Sequence, residues 1–228
     1  MNFTRIRLAQ KFVLANEKSA PKLAEFLGKY YWNVNGTQGG APVGSVILKH
    51  SADKTGQYIP TSTILEGVKL HMETNKDSID LLIDEKSGEI VGAQSICQIT
   101  TPITLEKMEY LFKNPISLQI VKDLGMFENF HGLPDGTKTV YGSYLVISQD
   151  LVGSGARVMK GFSDRIFERN PGTKLIFGFA ACESSHKIGF KLDPNWQKFS
   201  EIDYAKFKMP GEEEYRVVLR KSLESCKK

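Results

Sequence analysis

Cysteine is scarce. Cys97, Cys182 and Cys226 are the three in 228 residues, and none stands in the CxxC spacing of a zinc knuckle or a redox pair. An odd, sparse set argues against a disulfide framework and points to a reducing, cytoplasmic setting. Long apolar runs are missing too: none approaches the roughly 20 residues a helix needs to cross a bilayer. The first 16 residues mix Arg5, Arg7 and Lys11 with scattered apolar side chains, without the apolar core or cleavage site of a secretory leader. A soluble protein with no membrane partner is expected. Charge of one sign is not concentrated either. The formal net charge is +4, basic residues are spread along the chain, and no zinc-finger, RRM or helix-turn-helix motif occurs, so nucleic acid is not an expected partner. The small positive excess suits an anionic small ligand instead. Neither HExxH, an EF-hand loop nor clustered Cys/His spacing is found, so no metal is required.

What is present reads as one α/β domain spanning 1–228, with 41% hydrophobic and 25% charged residues. Phe3 to Ala15 has strand character. A helix opens near Ser19 with Pro21 in its first turn and Leu23, Phe26, Leu27 and Tyr30 at helical spacing. Glycine and proline break periodicity from Asn33 to Gly56, which reads as a loop. Thr63 to Glu73 is expected to be a second helix. Ser78–Asp84 and Glu89–Ile99 form a hairpin across a turn ending in Gly88. Residues 103–130 read as a helical insertion of two helices parted at Asn114-Pro115. Thr137 to Ser148 has the Val, Tyr, Ile and Thr content of a central strand.

The chemistry is concentrated after that strand. Gly153-Ser154-Gly155 leads into Val158, Met159, Phe162, Ile166 and Phe167 at helical spacing, and a strand Lys174–Ala180 follows Asn170-Pro171-Gly172. This is a βαβ unit with locally parallel or splayed strands. A helix N-terminus leaves backbone N–H groups without intrahelical partners at the positive end of the macrodipole, so an anion is held there without a dedicated cation. Gly153 and Gly155 present no Cβ to a diphosphate, and Arg157 and Lys160 add charge nearby. The plain alternative is a tight turn that binds nothing. A P-loop does not fit the stretch, since Gly161 is followed by Phe162; nor does a dinucleotide fingerprint, whose third glycine is here Val158.

The turn, its strand and the downstream Lys187-Ile188-Gly189-Phe190 together resemble the GNAT superfamily of acetyl-CoA-dependent N-acetyltransferases. In that family the fourth strand enters a Gln/Arg-x-x-Gly-x-Gly/Ala loop that holds the diphosphate, and a late short helix ends in a Lys-Leu-Gly-Phe-like signature. The Asp80-Leu81-Leu82-Ile83-Asp84 and Gly88-Glu89-Ile90-Val91-Gly92 hairpin, the helical insertion and Glu201-Ile202-Asp203-Tyr204 look like the arylalkylamine (dopamine-type) branch. The resemblance implies the GNAT acyl-CoA N-acyltransferase fold, a central mixed twisted sheet splayed at the cofactor site, with a helical insertion. It implies acetyl-CoA as cosubstrate, held by Leu145, Val146, Ile147 and Ser148 along the pantetheine and by Val152, Gly153, Ser154, Gly155, Ala156 and Arg157 around the diphosphate. The acceptor it implies is a small primary amine, an arylalkylamine among them, attacking the thioester directly in a ternary complex. The protein is expected as a monomer or weak homodimer.

Cys182-Glu183-Ser184-Ser185-His186 resembles the Cys-Ser-Ser-His stretch of some dopamine-type enzymes, which makes Ser184, Ser185 and His186 the implied catalytic residues. Helix capping is the plain alternative for Glu183 and Ser184. The branch's Glu-Pro pair after the first helix is replaced by Asn33-Val34-Asn35-Gly36, so its general-base glutamate has no counterpart here. Asp150 and Val152 take positions the family fills with Gln/Arg and often Arg. Two alternatives therefore stand beside the small-amine enzyme: a catalytically silent acyl-CoA-binding module, and transfer to a protein or amino-acid amine. His71 and His131 could shuttle a proton, since an unperturbed imidazole changes charge near neutral pH, but neither has a motif around it, and structural roles are expected for both.

Overall fold

The structure is a computed structural model, and it describes residues 10–32, 60–104, 106, 134–148, 151, 155–180, 196–202 and 216–222. Among the described residues seven strands form one mixed sheet: β1 (Gln10–Leu14), β2 (Ile79–Asp84), β3 (Ile90–Thr100), β4 (Lys138–Ile147), β5 (Thr173–Ala180), β6 (Trp196–Ile202) and β7 (Arg216–Ser222). Their order is β1-β2-β3-β4-β5-β7-β6, with β4 and β5 parallel and every other pair antiparallel. The one parallel pair is the one joined by a crossover helix, as the length of that connection requires. Among the described residues no helix is long and apolar enough to cross a membrane.

Among the described residues, α1 (Ala20–Leu27) and α2 (Thr61–Thr74) cover one face and α3 (Gly155–Arg169) the other. Asn16 and Ser19 prepare the start of α1: the Asn16 N–H donates to Ser19 Oγ at 2.8 Å and the Ser19 N–H to Asn16 Oδ1 at 3.1 Å. Pro21 then occupies the first turn, where its missing N–H costs nothing. The chain leaves α1 through a π-helical turn, Gly28–Trp32, so Tyr30 belongs to a wider turn than the expected α-helix. The other expected elements appear within a few residues of their anticipated bounds. The strand reading before Gln10, the loop after Trp32, the helical insertion and the helix before Gly189 lie outside the described residues.

Period-two alternation divides the core. Ile79 and Leu81 of β2 join Leu23, Leu27, Ile64 and Val68 beneath α1 and α2, whereas Leu82 joins Val91, Leu151, Val158 and Phe162 beneath α3. Gly92 lies under Phe162: a Cβ there would stand 3.2 Å from that ring and 3.3 Å from Leu82 Cβ. The position is thus closed to larger side chains because α3 rests on the sheet at it.

Candidate functional site

Two irregularities of β4 shape the site. Against β3, Ser95 pairs with Tyr144 and Ile96 with Gly142, which leaves Ser143 as an extra residue on β4. Such a bulge bends its strand and increases its twist. Against β5, the parallel register runs from Lys138↔Thr173 to Gly142↔Gly178 and stops there, although β4 continues to Ile147 and β5 to Ala180. The strands part at the bulge. Beyond it β4 keeps its pairing on the β3 side, where the Ser148 N–H donates to the Val91 carbonyl at 2.9 Å.

The Leu151 N–H then donates to the Ser148 carbonyl at 3.1 Å, and buried Leu151 packs on Val158 and Phe162. This anchors the chain between the end of β4 and the start of α3 at Gly155. The first turn of α3 has no acidic residue and carries Arg157, which is exposed. The helix runs 15 residues, long enough for a developed positive end. An anion-attracting terminus and the mouth of a splayed sheet are therefore neighbours, joined by a few residues of chain.

Of the residues singled out from sequence, Leu145, Val146 and Ile147 lie on β4 beyond its last β5 partner, and buried Ser148 directly follows them. Gly155, Ala156 and Arg157 form the first turn of α3. Val152, Gly153, Ser154, Ser184, Ser185 and His186 lie outside the described residues, as does His131.

Sequence reasoning missed a polar pair on the α1/α2 face. His71 Nε2 of α2 lies 2.8 Å from Ser95 Oγ of β3, and Ser95 is 0% exposed. Burial holds the His71 pKa below its ordinary 6.5, partly offset by a hydrogen bond with the Ile96 backbone. Nothing in the local sequence around Ser95 marks it; the strand register alone brings it level with the bulge. Cys97, also buried, has its thiol pushed up to about 12 by desolvation, which leaves almost no thiolate at neutral pH.

No protein-family profile and no curated protein sequence matches the chain. Solved structures do. A mosquito arylalkylamine N-acetyltransferase-like 5b is similar at TM-score 0.64 and 15% identity, covering 94% of this chain and 100% of that one. Arylalkylamine N-acetyltransferase 2 from Aedes aegypti gives 0.63 and 15%, over 94% and 99%. A polyamine N-acetyltransferase of Drosophila melanogaster that forms N-acetylagmatine gives 0.59 and 14%, over 94% and 100%. The likeness is one of architecture, and it extends over nearly the full length of each chain. With its bulged fourth strand parting from the fifth beside a helix N-terminus, this chain has the GNAT N-acetyltransferase fold.

Proposed function

We propose that the protein is an N-acetyltransferase that moves an acetyl group from acetyl-CoA to a small primary amine, by direct attack in a ternary complex. The observation that carries this reading is the end of β4–β5 pairing at Gly142↔Gly178 while both strands continue. A strand edge released in this way offers backbone N–H and C=O groups in a row. Pantetheine, with two amides of its own, would add to that edge at Leu145 to Ser148 much as a peptide adds to a sheet. The diphosphate would then reach the turn at Val152 to Arg157, where free amides of α3 and the Arg157 guanidinium favour anions. The released stretch of β4 and the acid-free first turn of α3, with Arg157 exposed on it, support this cosubstrate.

Direct attack is favoured over a covalent acyl-enzyme because no cysteine stands with a histidine in the local motif of an activated nucleophile, and because the resembling family mostly works through a ternary complex. The task left to the protein is to align a neutral amine with the thioester carbonyl and to take away its proton. Ser184, Ser185 and His186 remain proposed participants on the strength of the motif they form. The similar solved structures are named for arylalkylamines and for N-acetylagmatine formation, which supports a small amine as acceptor. The same reading takes 1–228 as one cytoplasmic domain, monomeric or weakly dimeric, that needs no metal.

Two measurements test it. Titration calorimetry with acetyl-CoA is expected to show micromolar binding that Gly155→Glu abolishes, because a side chain and a like charge would then meet the diphosphate. Release of free thiol across a panel of arylalkylamines, polyamines and amino-acid amines is expected for at least one class. Binding without thiol release from any amine would make the chain a silent acyl-CoA module, and absence of binding would remove both readings.

A further inference from the structure

We propose that the donor's acyl group lies on the Gly142–Gly178 pair, and that this notch, closed by Val140 and Ile176, lets the protein take propionyl- and butyryl-CoA as well as acetyl-CoA. The inference rests on the acetyltransferase reading above and extends it to the choice of donor.

The geometry starts from the fork. A cosubstrate with its diphosphate at the start of α3 and its pantetheine along Leu145 to Ser148 brings its thioester to the point where β4 and β5 part. The last pair there is glycine opposite glycine, Gly142↔Gly178. Gly92, Gln94 and Ile96 alternate onto the face that α3 covers, since a Cβ on Gly92 would meet Phe162. Gly142 stands directly opposite Ile96, so it is on this face that both glycines omit a side chain. Two residues earlier on the same strands, and therefore on the same face, Val140 pairs with Ile176, and the two are 0% and 2% exposed. The notch is floored by backbone, closed at one end by two buried apolar residues, and open at the other to the fork.

Glycine inside a strand marks a bulge or the close approach of a ligand or another backbone. The bulge at Ser143 accounts for Gly142. It does not account for Gly178, through which the register of β5 with β4 and with β7 runs without a shift. Nor is the pair closed over as Gly92 is: Gly92 is buried beneath Phe162, whereas Gly142 stays half-buried although Val140 and Tyr141 just before it are 0% and 4% exposed.

A second observation lies at the edge of the notch. Gln94, diagonal to Gly142 on the same face, is 7% exposed, and its Oε1 has no hydrogen-bond partner among the described residues. Its cross-strand neighbours cannot supply one: Leu145 has no side-chain donor, and the Asp80 carboxylate is itself an acceptor, held by Arg165 and Arg169. A buried acceptor left open in this way is satisfied by an arriving N–H, and acyl-CoA carries one on the amide nearest its sulfur.

The transfer is the same for every chain length. The neutral amine forms a C–N bond to the thioester carbon, the C–S bond breaks with its electron pair going to sulfur, and the proton shed by nitrogen neutralises the thiolate. The notch decides which acyl group is held. Each methylene laid in it leaves water, whereas a malonyl carboxylate would be buried against Val140 and Ile176 with no counter-charge and is excluded.

The test uses the intact chain with the best amine of the panel at saturation, and reads kcat/KM from thiol release with acetyl-, propionyl-, butyryl-, hexanoyl- and malonyl-CoA. Propionyl and butyryl are expected within about tenfold of acetyl, with hexanoyl and malonyl not accepted. Gly142→Ala should lower the butyryl-to-acetyl ratio by about 10- to 100-fold, the worth of a methylene in an apolar pocket, whereas a mere loss of packing would lower both alike. Val140→Ala, which trims the closed end, should admit hexanoyl-CoA, a gain that instability does not produce and that carries the test where Gly142→Ala does not fold. Gln94→Leu should raise the KM of every accepted donor by a similar factor, and unchanged KM values would remove Gln94 from the site. A parent confined to acetyl-CoA, or an unaltered chain-length profile in the folded Gly142 and Val140 variants, would overturn the proposal while leaving the acetyltransferase reading in place. A parent that transfers from no acyl-CoA to any amine would sink both.

Discussion

Arg165 of α3 donates through Nε to Oδ1 of Asp80 at 3.0 Å, although Asp80 lies within β2 and is 2% exposed. Arg169, one turn further along the helix, holds the other carboxylate oxygen and also donates to the Asp77 carbonyl. One buried charge therefore fixes two turns of α3, and with them the direction in which the helix N-terminus points. Replacing Asp80 by Asn leaves two largely buried guanidinium groups without a counter-charge. Breaking a buried pair in this way costs about 3–5 kcal/mol, and Asp80→Asn is expected to lower stability in urea by that order. The exposed Lys160–Asp164 pair on the same helix provides the contrast: Asp164→Asn should change stability by less than about 0.5 kcal/mol.

At Gly161, α3 lies close against the first strand. A Cβ there would stand 2.9 Å from Cζ of Phe12. That ring has little freedom to retreat, since it meets Phe162 edge-on at a centroid distance of 4.9 Å and is covered by Arg165. Gly161→Ala is therefore expected to destabilise by about 1–3 kcal/mol through overpacking, despite alanine's better helix propensity. Gly67 of α2 has nothing within 4 Å of the equivalent position, and Gly67→Ala should stabilise by up to about 1 kcal/mol. Urea midpoints of the two variants should move in opposite directions. Trimming Phe12 to Leu should recover part of the Gly161→Ala loss.

Much of this architecture is legible in the sequence, because it is written in local terms. The β2–β3 hairpin follows from two β-rich runs around a turn that closes at Gly88, whose φ of +69° suits glycine. The β4–α3–β5 unit follows from a change of period, two before Ser148 and about 3.6 after Gly155. That Leu145 to Ser148 lie where β4 has left β5 follows from the same unit, because it concerns backbone, whose position depends on strand order more than on side-chain chemistry. The Ser95–His71 and Asp80–Arg165 pairs could not. Their partners are 24 and 85 residues apart, and only the register of β3 and the angle of α3 bring them together. The bulge at Ser143 does leave a local mark, since Gly142 directly before it interrupts a β-rich run, as a glycine within a strand often does at a bulge.

Cys97 offers a readout of the β3–β4 core that does not depend on activity. Its thiol titrates near 12 because burial disfavours the thiolate, and thiolate is the form that alkylates. In the folded protein at pH 7.5, iodoacetamide is expected to leave the Cys97 peptide essentially unmodified over hours, by mass spectrometry. In denaturing urea the same peptide should label within minutes. Rapid labelling without denaturant would mean that β3 and β4 separate readily in the native state.

His71 also makes stability depend on pH, with a definite sign. Burial lowers its folded-state pKa below 6.5, so above about pH 6.5 the ring is neutral in both states and contributes no slope. As pH falls below that value the unfolded chain takes up the proton while the folded chain still refuses it, and stability declines until the depressed folded pKa is passed. For one proton the slope is at most about 1.4 kcal/mol per pH unit. The other three histidines and all carboxylates are common to the parent and to His71→Gln, so the difference between the two isolates this ring. The gap in unfolding free energy is expected to be constant from pH 8 to 7 and to shift in favour of His71→Gln as pH falls toward 5. A parallel pair of curves would mean that the imidazole is charged in the folded protein, and a charged ring has no bare nitrogen with which to accept from Ser95.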